Sequence, residues 1–410
     1  MHSTPFTRSG ILRLFATGLK PAVCGRLLAG AVVLILAACA SKAPPPPELG
    51  GATPPLDLPS TLPADDAPLP LAISQPKSQW IPVRWKDLPG FSKDSLHEAW
   101  NAWIKSCEKP APALAYTCES VRHLSIATPE QQRTWLMTYW QPYRIEPLPG
   151  QAAPANGLLT GYFEPIIPAM RQPGGAFTIP LYTPPVGLSS GKAWFTRQQI
   201  DTQPAVQAQL KGREIAYLND PIEALVLHIQ GSGRLRITEP DGSQRIVRVA
   251  YAANNGQPYR SVGSWLLSQR AITDATWPGI RAWVAANPDR INEMLWTNPR
   301  YVFFRQEILA GVDASFGPRG AQGVELTPGR SIAVDRLSIP YGTPVWLASP
   351  GPTVPLERLV MAQDTGSAIL GAVRADFFVG WGPDAGDVAG TLKQDLRLWA
   401  LWPRGKTPGQ

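Results

Sequence analysis

The chain is poor in the residues that build metal centres. Its 410 positions hold four histidines and four cysteines. One histidine, His2, and two cysteines, Cys24 and Cys39, lie in the first 39 residues, which leaves His97, His123 and His228 scattered with no spacing that suits zinc. Each of these three is expected to be a packing or surface histidine. Charge is also sparse, at 17% against 44% hydrophobic residues, which points to a globular chain long enough for two domains rather than a disordered one. No metal or organic cofactor is expected, because Gly231-Ser232-Gly233 precedes no helical pattern and so makes a poor phosphate cradle.

The first 38 residues hold Arg8, Arg13, Lys20 and Arg26 and no acid. An apolar run, Leu27 to Leu36, then ends at Ala37-Ala38-Cys39 and is too short to span a membrane comfortably. We read residues 1–38 as a signal peptide. Leu36-Ala37-Ala38-Cys39 resembles a bacterial lipobox, with Cys39 as the lipidated first residue, and Ala40-Ser41 resembles an outer-membrane sorting signal. The expected location is therefore the outer membrane, facing the periplasm. Without the leader, 34 Lys and Arg stand against 31 acids, so the charge falls from +7 to +3 and a nucleic-acid partner loses its main support. Cys107 and Cys118 either bridge, as such a compartment permits, or remain buried free thiols.

Residues 39–75, with Pro44 to Pro47 and Pro54-Pro55, read as a Pro/Ala-rich tether. Leu96, Trp100, Trp103 and Ile104 predict a helix within 91–107, and Thr128 caps another from Pro129 to about Tyr139. Short β-rich runs follow at 157–163, 222–230 and 234–237, then a Pro240-Asp241-Gly242-Ser243 turn into Ile246 to Val249. A helical interval is expected over about 262–295. Further strands are expected at 301–304, 331–334, 343–347, 359–362 and 373–379. So many short strands weakly favour barrels over a sandwich.

Asp364-Thr365-Gly366-Ser367, after an apolar run, looks like an aspartic-protease loop. Such enzymes need two of these loops so that two carboxylates share one proton, and this chain has one. Chemical weight moves instead to Asp376. In a strand, Val373, Ala375, Phe377 and Val379 share one face while Arg374, Asp376 and Phe378 share the other. Phe378 and Trp381 point to a cleft whose aromatic walls would raise the Asp376 pKa toward that of a useful general acid, while Arg374 would lower it.

Seven motifs in order resemble the membrane-bound lytic murein transglycosylase A (MltA) family. They are Thr160-Gly161-Tyr162-Phe163-Glu164-Pro165, Ile179-Pro180-Leu181-Tyr182, His228 to Arg234, Tyr251 to Tyr259, Asn298 to Phe304, Leu326 to Thr343, and Val360 to Gly386. The resemblance implies a mainly β fold with some helices: a discontinuous double-psi β-barrel from 76–167 and 301–410, a second β-barrel inserted at 168–300, and a groove between them. Its three-aspartate signature falls on Asp335, Asp364 and Asp376. Asp376 then aligns with a single catalytic acid/base, Asp364 with a supporting carboxylate, and Asp335 with a structural role.

The implied activity is lytic cleavage of the β-1,4 bond between N-acetylmuramic acid and N-acetylglucosamine, leaving 1,6-anhydromuramyl ends. The implied sugar contacts are Tyr162, Phe163, Glu164, Gln230, Ser232, Gly233 and Gly366. Glu164 is a departure, since other members can carry a residue such as Thr there. If it faced Asp376, a two-carboxylate hydrolase would follow, so a hydrolytic muramidase is one alternative. A non-catalytic glycan-binding lipoprotein is another. Expected partners are glycan strands, the membrane through the lipid anchor, and cell-wall synthesis or division proteins, with the chain acting as a monomer.

Overall fold

The computed structural model describes residues 58–406, apart from 60, 63, 151–155, 189–191, 310 and 353. The signal peptide, Cys39 and most of the tether lie outside the described residues. The end of the stretch read as tether is part of the fold: Ile73–Ser74 pairs with Gln79–Pro82, and Arg84 donates to the carbonyls of Asp65 and Ala67.

Six strands close into a barrel. Around the ring, Lys393–Pro403 pairs with Pro344–Ser349, then come Leu356–Asp364, Ser331–Val334, Arg374–Trp381 and Gly157–Glu164, which pairs back to Lys393–Pro403. Two of its pairings are parallel, Ser331–Val334 with Leu356–Asp364 and Arg374–Trp381 with Gly157–Glu164. Alternation explains the last of the C-terminal strands to enter the site: Ala375 and Phe377 are buried in the barrel core, while Arg374 and Asp376 remain half-buried on the other face.

The helices Leu96–Ser106 and Pro129–Tyr139 form where the sequence predicts them, and Thr128 caps the second through the Gln131 N–H. Both pack onto this barrel through indole contacts. Trp103 of the first lies 5.1 Å and Trp135 of the second 5.6 Å from Trp140, whose strand, Trp140–Glu146, pairs with Lys393–Pro403. Cys107 and Cys118 form a disulfide at the end of the first helix. That helix reaches the site region directly, because the buried amide of Gln363 donates to the Ala102 carbonyl at 2.8 Å and to Ser106 Oγ at 2.9 Å.

A second sheet runs in the order Val302–Ile308, Gln244–Asn254, Ser232–Thr238, Ile166–Met170, Glu214–Leu218, Ile179–Tyr182, and its two edge strands approach each other to nearly close a barrel. It extends beyond the expected 168–300 at both ends. Val302–Ile308 pairs with Gln244–Asn254 and belongs here, because Val302 and Phe304 fill this sheet's core.

The stretch 222–230 is a helix, Pro221–Gln230, not a strand. Its apolar residues, Ile222, Ala224 to Leu227 and Ile229, follow no clean period that would separate the two states. Its ends decide: Asp220 caps the Ile222 N–H, Pro221 takes the first turn, and Gly231 closes it in the left-handed region at φ 77°.

Candidate active site

A groove of about 780 Å³ runs between the two barrels. On its first wall, a single cross-strand row carries Thr160, Asp376, Ala333 and Asp364: Thr160 pairs with Asp376, Asp376 with Ala333, and Ala333 with Asp364. Directly paired residues point to the same side of a sheet, so the row presents two carboxyls and a hydroxyl together.

Asp376 Oδ1 accepts from Thr160 Oγ1 at 2.5 Å, and Thr160 Oγ1 accepts from Arg374 Nη2 at 2.9 Å. A guanidinium can only donate, so the Thr160 proton is directed at Oδ1, and a proton carried by Asp376 belongs on Oδ2. Burial pushes the Asp376 carboxyl up, and it prevails over the Thr160 hydrogen bond and the Arg374 charge, which pull it down. Arg374 therefore shares the face of Asp376 and acts on it through Thr160 as well as through space.

Asp364 ends the strand Leu356–Asp364. Burial pushes its carboxyl up to about 6 and the charge of Asp376 adds to this, against the N–H groups of Thr365 and Ala321 and the Tyr162 hydroxyl. Tyr162 Oη donates to Oδ2 at 3.0 Å and the Ala321 N–H to Oδ1 at 2.9 Å. Burial and the two acids hold the Tyr162 phenol well above its usual range, so it stays a donor. Thr365 anchors the loop by donating to the Val334 carbonyl at 2.8 Å. The Asp-Thr-Gly turn is thus a groove wall.

Asp335 is buried outside this row. Burial would raise its carboxyl, but the Gly371 N–H, Lys77 and the Leu337 N–H hold it below the usual range, and it ties those three segments together.

Of the sugar contacts expected from the sequence, Tyr162, Phe163, Gln230, Ser232 and Gly366 line the groove together with both acids. Phe163 also packs among the helices of the inserted part, with Gly386 making room for its ring. Two expectations are corrected. Gly233 lies outside the lining, and the space beside it is taken by Leu227 and Pro165, so its small size serves packing. Glu164 has no exposed surface and faces neither the groove nor Asp376. It pairs with Arg234 at 2.8 Å and Arg248 at 2.5 Å, both from the second sheet, and both arginines also donate to the Phe316 carbonyl. Trp381 belongs to this cluster, with the Arg234 guanidinium 4.1 Å from its ring centre, rather than to the cleft wall beside Asp376. Phe378 does stand by the site, 5.2 Å from the Tyr162 ring.

The sequence family described as the MltA specific insert domain matches residues 158–305, and the 3D domain family matches residues 330–402. Membrane-bound lytic murein transglycosylase A of Vibrio cholerae is 32% identical over 294 residues, covering 66% of this chain and 74% of the relative. The chain belongs to the MltA family. Among solved structures, the lytic transglycosylase LtgG of Burkholderia pseudomallei is 41% identical, covering 82% of this chain and 98% of that one, with a TM-score of 0.55. MltA from Neisseria gonorrhoeae superposes with a TM-score of 0.68 at 27% identity, covering 83% and 97%. Like its relatives in the MltA family, the protein is a peptidoglycan lytic transglycosylase.

Thr160 is the site residue that sequence reasoning missed. It stands in the first MltA-like motif, but a threonine in a strand carries no chemical signal until its partner strand is known. Ala321 escaped for the same reason, since its contribution is a backbone N–H.

Proposed function

We propose that the protein cuts the β-1,4 bond between N-acetylmuramic acid and N-acetylglucosamine without water, using Asp376 first as acid and then as base. Asp376 Oδ2 gives its proton to the glycosidic oxygen as the bond from the muramyl anomeric carbon breaks. The C6 hydroxyl of the same muramyl unit attacks that carbon, and its proton returns to the Asp376 carboxylate. A 1,6-anhydromuramyl end and a free N-acetylglucosamine hydroxyl result, and the acid is regenerated. One group that serves both halves benefits from a raised but moderate pKa.

The observation that carries this reading is the environment of Asp376: burial that favours the protonated form, with one oxygen occupied by Thr160 and the other left to donate. Asp364, once ionised, faces the positive charge that develops on the sugar ring. Hydrolysis would need a second carboxylate to activate water or form an adduct. Glu164 is committed to two arginines, and both oxygens of Asp364 already accept hydrogen bonds, which favours an anchoring role for it.

In the same reading the protein works as a monomer on the periplasmic face of the outer membrane, anchored by lipid at Cys39. The Cys107–Cys118 disulfide suits that compartment. Among the described residues, no helix is long and apolar enough to cross a membrane.

The test is Asp376→Asn assayed on purified sacculi. We expect solubilisation to be lost while thermal unfolding and glycan binding persist. Wild-type turnover in this variant would remove Asp376 from the chemistry.

A further inference from the structure

The groove contains more than acids. Three arginines also line it, Arg300, Arg305 and Arg319. Arg305 is paired with Glu307 at 2.7 Å and donates to the Tyr251 carbonyl, and Arg319 is paired with Glu325 at 2.7 Å. Among the described residues, the Arg300 guanidinium has no carboxylate and no hydrogen-bond partner. Only its backbone is held, by Asn298 Oδ1, which accepts from the Arg300 N–H at 3.3 Å, and by Arg197.

Arg197 makes this part of the wall a built one. It is buried, and its Nη2 donates to the Arg300 carbonyl at 3.1 Å and contacts His228 Nδ1 at 2.8 Å. Because a guanidinium cannot accept, Nδ1 must be the acceptor, which places the proton of the neutral ring on Nε2. Burial and the Arg197 charge hold His228 well below its usual pKa, so the ring stays neutral. His228 also lines the groove. One buried arginine thus orients the neutral His228 imidazole and holds the backbone that carries the Arg300 guanidinium, and both side chains line the second-barrel wall of the groove.

The glycan backbone of peptidoglycan offers hydroxyl, ether and acetamide groups, none of them charged. Its negative charge hangs from the muramyl units, as the lactyl carboxylate where the peptide has been removed or as the carboxylates of the stem peptide where it has not. A guanidinium fork matches a carboxylate with two parallel hydrogen bonds. We propose that Arg300 forms a carboxylate subsite of the groove, taking the acid carried by a muramyl unit, with His228 donating to a neutral oxygen beside it. This deepens the glycan-cleaving reading and rests on it.

The experiment is titration calorimetry in the Asp376→Asn background, with and without Arg300→Gln, so that no ligand is consumed. Four ligands are compared: peptide-free glycan strands with free lactyl carboxylates, the same strands with those carboxylates converted to amides, strands bearing intact stem peptides, and neutral chitohexaose. Arg300→Gln is expected to weaken a carboxylate-bearing ligand about tenfold, the worth of one charge-assisted contact, and to leave the amidated strands and chitohexaose unchanged. Loss on the peptide-free strands assigns the lactyl carboxylate, and loss confined to the peptide-bearing strands assigns the stem peptide; both support the subsite. Arg300→Lys should recover part of the affinity. Equal affinities for all four ligands with and without Arg300→Gln, in a variant with an unchanged melting curve, would overturn it. Failure of the Asp376→Asn protein to bind any of the four would instead reject the glycan reading, and the subsite with it.

Discussion

Asp364 and Asp376 stand on either side of a single residue, Ala333, which pairs with Asp364 across a parallel ladder and with Asp376 across an antiparallel one. Their backbones are therefore two strand spacings apart, about 10 Å. The acids share a groove and a field, but each has its own hydrogen-bond partners. Asp376 has Thr160, while Asp364 has Tyr162 and the Ala321 N–H.

Thr160 and Arg374 should set the pH range of activity. Both pull the Asp376 pKa down, so removing either raises it. An acid that must be protonated works until the pH exceeds its pKa, so the alkaline limb of the pH–rate profile should move to higher pH in Arg374→Gln and in Thr160→Val. Thr160→Val should also lower kcat about tenfold by releasing the carboxyl, and Thr160→Ser should restore it. Profiles that superpose on the wild type would show that neither residue acts on Asp376.

Asp364 should make stability depend on pH. Its folded value, about 6, lies above the ordinary 3.8, so the folded state binds its proton more tightly than the unfolded chain does. That contribution is complete below about pH 4 and is lost as the pH rises through 6, on the order of 2–3 kcal/mol. Asp364→Asn loses carboxylate contacts at every pH but carries no such slope. Denaturant unfolding from pH 4 to 7 should show the variant gaining on the wild type, and parallel curves would contradict the burial of this carboxyl.

Glu164 should matter for the fold and not for turnover. Glu164→Gln leaves the Arg234 and Arg248 guanidinium groups buried without their carboxylate, a loss of about 3–5 kcal/mol. Denaturant unfolding measures it. The folded fraction should keep near-normal kcat, and a stable but inactive variant would return Glu164 to the chemistry.

Much of the first barrel was legible in the sequence. The strands around Ile332, Val345, Val360 and Phe377 announce themselves through β-branched and aromatic runs between breaks, and Trp100 and Trp103 betray a helix by spacing. The helix Pro221–Gln230 was not, because Ile222, Ala224 to Leu227 and Ile229 follow neither period and only its caps distinguish it. The strand Val302–Ile308 is legible over 301–304, but it belongs to the second barrel and not the first, since local pattern does not say which core Phe304 fills. At the site, the two aspartates could be found from their motifs. The Thr160–Asp376 bond joins residues 216 positions apart, and Glu164 looked like a groove acid until Arg234 and Arg248 were brought to it. Such partnerships are set by strand order, which spacing along the chain does not encode.

In the proposed mechanism one acid performs both proton transfers and the sugar supplies its own nucleophile. Mass spectrometry of the fragments released from purified sacculi tests it most directly. The expected products are muropeptides ending in 1,6-anhydromuramic acid, lighter by one water than hydrolytic products, with none formed by Asp376→Asn. Fragments that end in reducing muramic acid, with no anhydro form, would contradict it.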